Sequence, residues 1–503
     1  MATGDGELAQ VSLIAAIEQR PRAALGWFLA IHAVLWTVLP ALLYPNLPLD
    51  LIEALTYGRE WQLGYDKLPP LPWWLVESVY RTIGHDIGYY LLAQVAVVST
   101  FVAIYLLARP LVGELRALIA ILLIDGLHFF NFTADKFNHD VIQLPFWALA
   151  ALAFYRALRG GGLRYWLLLG FAIGASVWAK YFFVALVVPL ALFLLFDREA
   201  RAHMRTPGPY LAVVTALIVT APHLVWLIAN DFLPFAYAEG RAAPARGLFD
   251  HILHPLGFAA GQLFFLLPVL VIAAPLLLRG RAPVATTADA YDRRIVTLLA
   301  FGPVVTLLVL LALTGRGAIA MWGYPIWLCL GLWMVVTVEP ALERIQLTRI
   351  VAVWAFVTVA FVIAFVANYV VLPSVDGRYR AVLYPGEALG TEIARRFRAA
   401  TGHPLRYVIG RMWDGGNVAH YSSDGPRVLV DGDPARAPWI DLADLKRQGA
   451  VVLWTALDAR PYDLRAVLGD AAAGAAVQPS FTLPFHRGPH VLHVNWAILY
   501  PRP

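Results

Sequence analysis

The residues best suited to chemistry are concentrated in one segment, "PLDLIEALTYGREWQLGYDKLPPLPWW", which covers residues 48–74. Asp50 and Glu53 are three positions apart, so that on a helix their carboxylates share one face. Asp66 and Lys67 come shortly before a rigid Pro-Pro turn. A carboxylate can remove a proton from a hydroxyl group, and an ammonium group can bind phosphate. The segment therefore predicts acid–base chemistry beside a site for an anion.

Acids and bases recur in later segments that separate apolar runs. They are found in "FTADKFNHD" (132–140), in "WAKYF" (178–182), in the 230–255 loop and in "TGRG" (314–317). Ionisable groups at the depth of a membrane are costly and usually mark a functional site. The catalytic candidates are therefore Asp50, Asp140 and Glu53. The candidates for binding a substrate phosphate are Lys67, Lys180, Arg316 and Lys136.

Most of these candidates have an alternative role that requires no substrate. Asp50 could cap the helix that starts there, because an aspartate at a helix start satisfies free backbone N–H groups. Lys67, Lys180 and Arg316 could extend their charged ends from an apolar surface into water. The Trp-Trp pair at 73–74 could anchor the chain at the membrane surface or line the path of a lipid-linked substrate.

Composition places these residues in an integral membrane protein. Of 503 residues, 60% are hydrophobic and only 15% are charged, whereas about a quarter are charged in a typical soluble domain. The 17 tryptophans suit aromatic belts at two membrane interfaces. The one cysteine, Cys329, excludes an intrachain disulfide, and a cysteine-based metal site is not expected.

Apolar runs predict the transmembrane helices, since about 20 apolar residues are needed to cross the hydrocarbon layer. The clear candidates are 24–44, 87–108, 210–229, 256–278, 295–314, 318–338 and 350–372. Shorter runs are 117–132, 141–157, 165–178 and 181–196. Together they predict about eleven spans. Arginine favours cytoplasmic loops, which predicts a cytoplasmic N-terminus and an outward side that carries the 45–86 loop, the 131–140 turn, the 230–255 loop and the tail after 372.

The chain changes character after about Pro373, where apolar runs shorten and turn signals such as "DGR", "PGE" and "SDGP" appear. "GEALGTEIARRFRAATG" (386–402) and "WIDLADLKRQG" predict helices. "LRYVIG", "RVLVDG", "AVVLWTA" and the final "HVLHVNWAILYP" predict short strands. We therefore divide the chain into a membrane domain, 1–372, and a small α/β domain, 373–503. The tail contains no phosphate-binding loop, so no nucleotide site is expected there.

In the order of these features the chain resembles the polytopic type-C (GT-C) glycosyltransferases that use polyprenyl-phosphate sugars. This superfamily includes protein O-mannosyltransferases, lipid A aminoarabinose transferases and lipopolysaccharide-core galacturonosyltransferases. The resemblance covers roughly residues 25–340 and rests on "LDLIEALTYGREWQLGYDKLPPLPWW", "FNHDVIQLPFWALAALAFYRAL", "WAKYFFVAL" and "TGRGAIAMWGYPIW". It implies an α-helical polytopic membrane protein with the GT-C fold, to which the chain adds its small C-terminal α/β domain.

The resemblance also implies roles for individual residues. The family's catalytic base, an acid in the first outward loop, corresponds to Asp50, and a second acid at the start of a later span corresponds to Asp140. The acid–Lys–Pro segment of the family corresponds to Asp66, Lys67 and Pro69. In this chain Leu-Pro-Pro follows the lysine, whereas the family has proline directly after it.

Some relatives bind a divalent metal ion through the acid before that lysine and a histidine of a later loop. In this chain Asp66 would be the first ligand, and His251 or His254 the second. Two histidines three positions apart, without a defined third ligand, are a weak metal signal on their own. His139 is a further departure, because close relatives often carry a small or amide residue there.

The residues and the resemblance together predict an inverting glycosyltransferase of the bacterial inner membrane, with its active site on the periplasmic side. It would transfer a sugar from a polyprenyl-phosphate donor to an envelope acceptor, lipopolysaccharide core or lipid A, among membrane lipids and without a nucleic-acid partner. A lipid or glycolipid transporter or flippase is one alternative, although the charges cluster at one face and no inverted repeat is visible. A protein O-glycosyltransferase is another.

Overall fold

The structure, a computed structural model, describes residues 13–277, 286–339, 342–455 and 474–502, together with Arg465, Val467 and Gly469. Its first part is helical, with a short stretch at 13–19 followed by longer helices. These are α1 (Pro21–Leu43), α2 (Leu49–Gly58), α3 (Leu71–Thr82), α4 (Ile87–Asp125), α5 (His139–Leu158), α6 (Leu163–Ala179), α7 (Val184–Phe196), α8 (Gly208–Ala229), α9 (Leu233–Arg241), α10 (Asp250–Leu277), α11 (Ala290–Thr314), α12 (Leu330–Val338) and α13 (Arg344–Val366).

The predicted membrane character is confirmed by the lengths of these helices. Among the described residues, seven helices are long and apolar enough to cross a membrane: α1, α4, α5, α8, α10, α11 and the run Arg344–Ser374 that begins with α13. Two shorter apolar helices, Leu163–Ala179 and Tyr181–Phe196, lie between α5 and α8. The predicted number of about eleven spans is not confirmed.

The predicted span 87–108 and the first part of the predicted span 117–132 belong to one 39-residue helical run, Ile87–Asp125, with a break inside it. Gly113 has a φ of 76°, a left-handed conformation that glycine adopts at little cost. A straight helix of this length would be about 58 Å long, far more than the ~30 Å hydrocarbon layer. The break therefore divides α4 into two arms, as the polar interruption in the sequence predicted.

The predicted span at 318–338 is wrong as a continuous helix. Only Leu330–Val338 is α-helical, while Ala320–Gly323 forms a 3₁₀ turn. Nine α-helical residues extend about 14 Å and cannot cross the membrane alone. Gly323 and Pro325 interrupt the run and explain the irregular backbone. Such backbone is tolerated at membrane depth where protein surrounds it or where it lines a cavity.

The first loop folds into the two short helices α2 and α3 around a buried aromatic cluster. Trp73 stacks on Tyr57 with 4.6 Å between ring centroids, and Tyr65 meets Trp73 edge-on at 4.7 Å. Trp439 of the tail contacts both tyrosines. Trp73 is only 1% exposed, so the predicted role of a membrane-surface anchor is wrong for this tryptophan.

The tail forms a mixed sheet covered by helices. Its elements are α14 (Gly386–Thr401), β1 (Tyr407–Gly410), α15 (Met412–Tyr421), β2 (Arg427–Val430), α16 (Leu442–Gln448), β3 (Ala450–Thr455), β4 (Ala475–Pro484) and β5 (Val491–Leu499). The strand order is β2-β1-β3-β5-β4, with β1 parallel to β2 and β3 and the other pairs antiparallel. The predicted helices and strands are confirmed, whereas α15 and β4 were not predicted.

The tail is attached directly to the first loop. Arg59, at the end of α2, donates hydrogen bonds of 3.0 Å to the backbone oxygens of Gly425 and Pro426. Arg427 of β2 forms an ion pair with Glu60. Helix α15 packs so closely against α2 that there is no room for a side chain at the position of Gly416. The first loop and the tail therefore lie on the same side of the membrane part.

We expect Gly416→Ala to destabilise the contact between α2 and α15. An added Cβ would lie 2.5 Å from Thr56 Oγ1 and 2.8 Å from Ile52 Cγ2, and overpacking of this kind costs about 1–3 kcal/mol. Thermal unfolding in detergent should show a lower Tm. Gly261→Ala is the control, because nothing lies within 4 Å of its Cβ position. Equal Tm values for both variants would contradict the close packing.

Candidate active site

A cavity of about 370 Å³ opens between the first loop, the start of α5, the gap after α6, helix α9 and the irregular segment before α12. Its polar lining combines carboxylates, cations and an amide with aromatic rings. The polar and aromatic lining residues are Asp50, Glu53, Lys67, Trp73, Asn138, His139, Asp140, Lys180, Tyr181, Phe182, Phe235, Tyr237, Arg241 and Trp322. The structure therefore brings the three predicted catalytic acids to one cavity.

Asp50 lies in the first turn of α2 with its side chain directed to the loop before α5. Its Oδ2 accepts a hydrogen bond of 2.8 Å from Asn138 Nδ2 and lies 3.7 Å from Lys136 Nζ. The residue before α2 is Pro48, and no side chain that the structure describes caps this helix. The capping role is therefore wrong for Asp50, whose partly exposed carboxylate contacts two side chains of another segment.

Asn138 connects Asp50 to Asp140, although sequence reasoning did not select it. Its Oδ1 accepts hydrogen bonds of 3.0 Å from the backbone N–H groups of Asp140 and Val141, which caps α5. The same side chain donates through Nδ2 to Asp50. An asparagine immediately before an apolar helical run is a strong capping signal, so the position of Asn138 could have been predicted.

Two lysines of the cavity lining each contact an acid directly. Lys67 Nζ lies 2.5 Å from Glu53 Oε1. Lys180, in the extended gap between α6 and α7, pairs with Asp140, which also accepts a 3.1 Å hydrogen bond from Gln143 Nε2. All four charged side chains are largely buried. The alternative that Lys67 and Lys180 extend from an apolar surface into water is therefore wrong.

His139 holds the Pro-Pro turn against α5. Its Nε2 donates a hydrogen bond of 2.9 Å to the backbone oxygen of Pro69, and its ring meets Trp73 edge-on at 5.1 Å. Because Pro69 is two residues after Lys67, this bond positions the segment that carries the lysine. The histidine that departs from the family pattern thus has a positioning contact.

The surroundings of Asp50 and Glu53 shift the pKa values of the two carboxyls in opposite directions. Burial opposes ionisation of Asp50, but Lys136 and the Asn138 hydrogen bond outweigh it and hold the pKa of this carboxyl below its ordinary value. At Glu53 burial outweighs the nearby Lys67 and raises the pKa. Asp50 in turn raises the pKa of Lys136. Two carboxyls separated in this way can take different chemical roles.

Arg316 and Arg241 differ from the sequence-based selection. Arg316 was predicted to bind phosphate, but it forms an ion pair with Glu239 Oε1 at 2.5 Å and does not line the cavity. Arg241, the last residue of α9, does line it. The sequence shows several charged residues in the 230–255 loop, and no local signal distinguishes Arg241 from Arg246 there.

Comparisons with known proteins indicate the class of enzyme to which this chain is similar. The family described as "Dolichyl-phosphate-mannose-protein mannosyltransferase" matches residues 67–226. The lipopolysaccharide core galacturonosyltransferase RgtA of Rhizobium johnstonii is 26% identical over 493 residues, which cover 92% of this chain and 94% of RgtA. The lipid A galacturonosyltransferase RgtD of the same organism is 25% identical over 302 residues, 58% of this chain and 61% of RgtD.

The fold is shared with a solved transferase structure. ArnT from Cupriavidus metallidurans, crystallised with undecaprenyl phosphate, matches with a TM-score of 0.62 at 15% identity, covering 95% of this chain and 100% of ArnT. Together these findings identify the chain as a membrane glycosyltransferase. The predicted resemblance to GT-C glycosyltransferases is thereby confirmed, while the structural likeness itself shows only the common fold.

The metal site implied by the resemblance does not fit the geometry of this transferase. Asp66 Oδ2 accepts a 2.8 Å hydrogen bond from Arg436 Nε of the tail, and a guanidinium at that oxygen opposes a divalent cation. His251 and His254 each direct Nδ1 to a backbone oxygen at the end of α11. Within the described residues no group of three or more His, Cys, Asp or Glu could hold a metal ion.

An apolar groove adjoins the cavity of the transferase. It has a volume of about 620 Å³ and lies between α6, α7 and α8. Tyr181 and Phe235 line both the groove and the cavity. The charged residues of the cavity therefore lie next to a long apolar surface.

The Asp66–Arg436 pair predicts a stability effect that does not depend on a metal. Arg436→Gln would leave the buried Asp66 carboxylate without its ion pair and should lower the Tm. Adding Asp66→Asn should recover part of the loss, with a coupling of about 0.5–3 kcal/mol in a double-mutant cycle.

A chelator provides the contrasting measurement for this prediction. EDTA should leave the Tm of the wild type unchanged. A metal site at Asp66 would instead give a Tm that rises with added divalent cation in the wild type and no longer rises in Asp66→Asn.

Proposed function

We propose that this transferase moves a sugar from a polyprenyl-phosphate donor to an envelope glycolipid at the periplasmic face of the inner membrane. The observation that carries the proposal is the position of Asp50 and two lysine–acid pairs in a cavity that adjoins an apolar groove. Such a groove suits the prenyl chain, and the cations of the cavity suit its phosphate.

The relatives support this choice of substrates. RgtA and RgtD are named as galacturonosyltransferases of lipopolysaccharide core and lipid A, and ArnT was crystallised with undecaprenyl phosphate. A uronic acid is thus the proposed sugar, and lipopolysaccharide core or lipid A the proposed acceptor. The arginine bias of the loops supports the proposed periplasmic orientation. The membrane and α/β domains are proposed to divide at 372/373.

The proposed reaction is a single displacement. The acceptor hydroxyl attacks the anomeric carbon while Asp50 takes its proton, a C–O bond forms, and the bond between the anomeric carbon and the phosphate oxygen breaks. Polyprenyl phosphate leaves with the electron pair, and the configuration at the anomeric carbon is inverted. No nucleotide and no covalent intermediate are required.

The lysines would compensate the charge that develops on the leaving phosphate. Lys180 lies next to Tyr181, where the groove meets the cavity, and Lys67 Nζ lies 5.4 Å from the ring centre of Tyr237. Cations held in place before the reaction stabilise a developing anion without reorganisation. A pKa below its ordinary value keeps Asp50 ionised at neutral pH, as a base must be.

Asp50→Asn tests the base directly. Asparagine has almost the same shape and can still accept the hydrogen bond from Asn138, but it cannot take the proton. Transfer from a polyprenyl-phosphate donor should fall about 10²–10⁴-fold while the Tm stays near that of the wild type. Glu53→Gln is the matched variant one turn along α2. A fully active Asp50→Asn protein would move the base to Glu53 or Asp140.

Lys136 should determine the pH below which transfer activity is lost. Asp50 works only when ionised, so transfer is lost as the pH falls through its pKa. Replacing Lys136 by Gln removes the largest favourable charge at Asp50 and should shift the acidic limb of the kcat profile to higher pH. Lys136→Arg keeps the charge and should keep the limb. An unchanged limb in Lys136→Gln would contradict the coupling.

A further inference from the structure

The charges of the cavity are almost completely matched before any substrate binds. Lys67 faces Glu53, Lys180 faces Asp140, and Lys136 faces Asp50. Arg241 also lines the cavity, yet it forms no ion pair or side-chain hydrogen bond with any residue in the part of the chain that the structure describes. This arginine therefore contributes a positive charge that a substrate can neutralise.

Along helix α9, the residues that line the cavity change from apolar to charged. Phe235, near its start, lines both the apolar groove and the cavity, and Tyr237 lies beside Lys67. Arg241, at the other end, is six residues beyond Phe235, or about 9 Å along the helix axis. It also borders an adjoining space of about 290 Å³ next to Ile319.

This order separates two anionic groups of one donor. A prenyl chain in the groove would place its phosphate near Lys180 and Lys67, where the groove ends. The sugar is attached to that phosphate and would extend along α9 towards Arg241. A guanidinium is planar and binds a carboxylate through two parallel hydrogen bonds, which a lysine cannot do.

We infer that Arg241 binds the carboxylate of the sugar on the donor and thereby selects uronic acids over neutral hexoses. This inference rests on the proposed function, because it requires a polyprenyl-phosphate donor in the cavity. It assigns Arg241 to substrate specificity and leaves proton transfer to Asp50.

Two matched donors test the inference. One is a polyprenyl phosphate that carries a uronic acid, and the other carries the same hexose with an alcohol at C6. The purified wild type should prefer the uronosyl donor in kcat/KM by about tenfold to a hundredfold, the range for charge-assisted hydrogen bonds. Arg241→Gln should lose this preference by acting on the uronosyl donor alone, and Arg241→Lys should retain part of it.

The control is Arg246→Gln, which removes an exposed arginine of the same loop that lines neither space. Its donor preference should equal that of the wild type. Three results would overturn the inference: no preference in the wild type, a preference that survives in Arg241→Gln, or an equal loss for both donors, which would place the phosphate at Arg241. If the wild type used neither donor, the proposed function would fail and the inference with it.

Discussion

The candidate active site is shaped by the free-energy cost of holding charged groups out of water beside a membrane. An isolated carboxylate or ammonium in such a place loses its hydration, whereas a close pair with further hydrogen bonds recovers much of it. The cavity satisfies this constraint through three pairs from separate segments: Lys67 with Glu53, Lys180 with Asp140, and Lys136 with Asp50. The contacts that neutralise the candidate catalytic groups therefore also join the first loop, the start of α5 and the gap after α6.

The tail supplies ion-pair partners for further charged residues of the first loop. Arg436 pairs with Asp66, the residue before Lys67, and Arg427 pairs with Glu60. His139 meanwhile holds Pro69 from the membrane side. The lysine segment is thus positioned from two directions, which gives the tail a part in the geometry of the candidate site, although none of the tail residues that the structure describes lines the cavity.

Short stretches of sequence predict the structural features that depend on interactions between residues close together in the chain. The charged segments, the apolar runs and the tail strands were recognisable because charge, hydrophobicity and alternation act over a few residues. The partner of Asp66 was not, since Arg436 is 370 positions away, and a resemblance suggested a metal ion instead. Arg241 was equally hidden among loop charges. The irregular 318–338 segment was mistaken for a span because its composition is apolar, whereas its backbone follows its place beside a cavity.

Lysines that are already paired can still bind a phosphate. An ammonium has three N–H donors, and the contact of Lys180 with Asp140 uses one of them. The acid therefore restrains a flexible side chain, whose ordering would otherwise cost up to about 2 kcal/mol, without exhausting its hydrogen bonds. Because each lysine is paired with an acid, the cavity carries no uncompensated lysine charge near the lipid. Its remaining N–H groups are nevertheless oriented to donate hydrogen bonds to an anion that enters. Pairing and substrate binding are in this way compatible properties of the same residues.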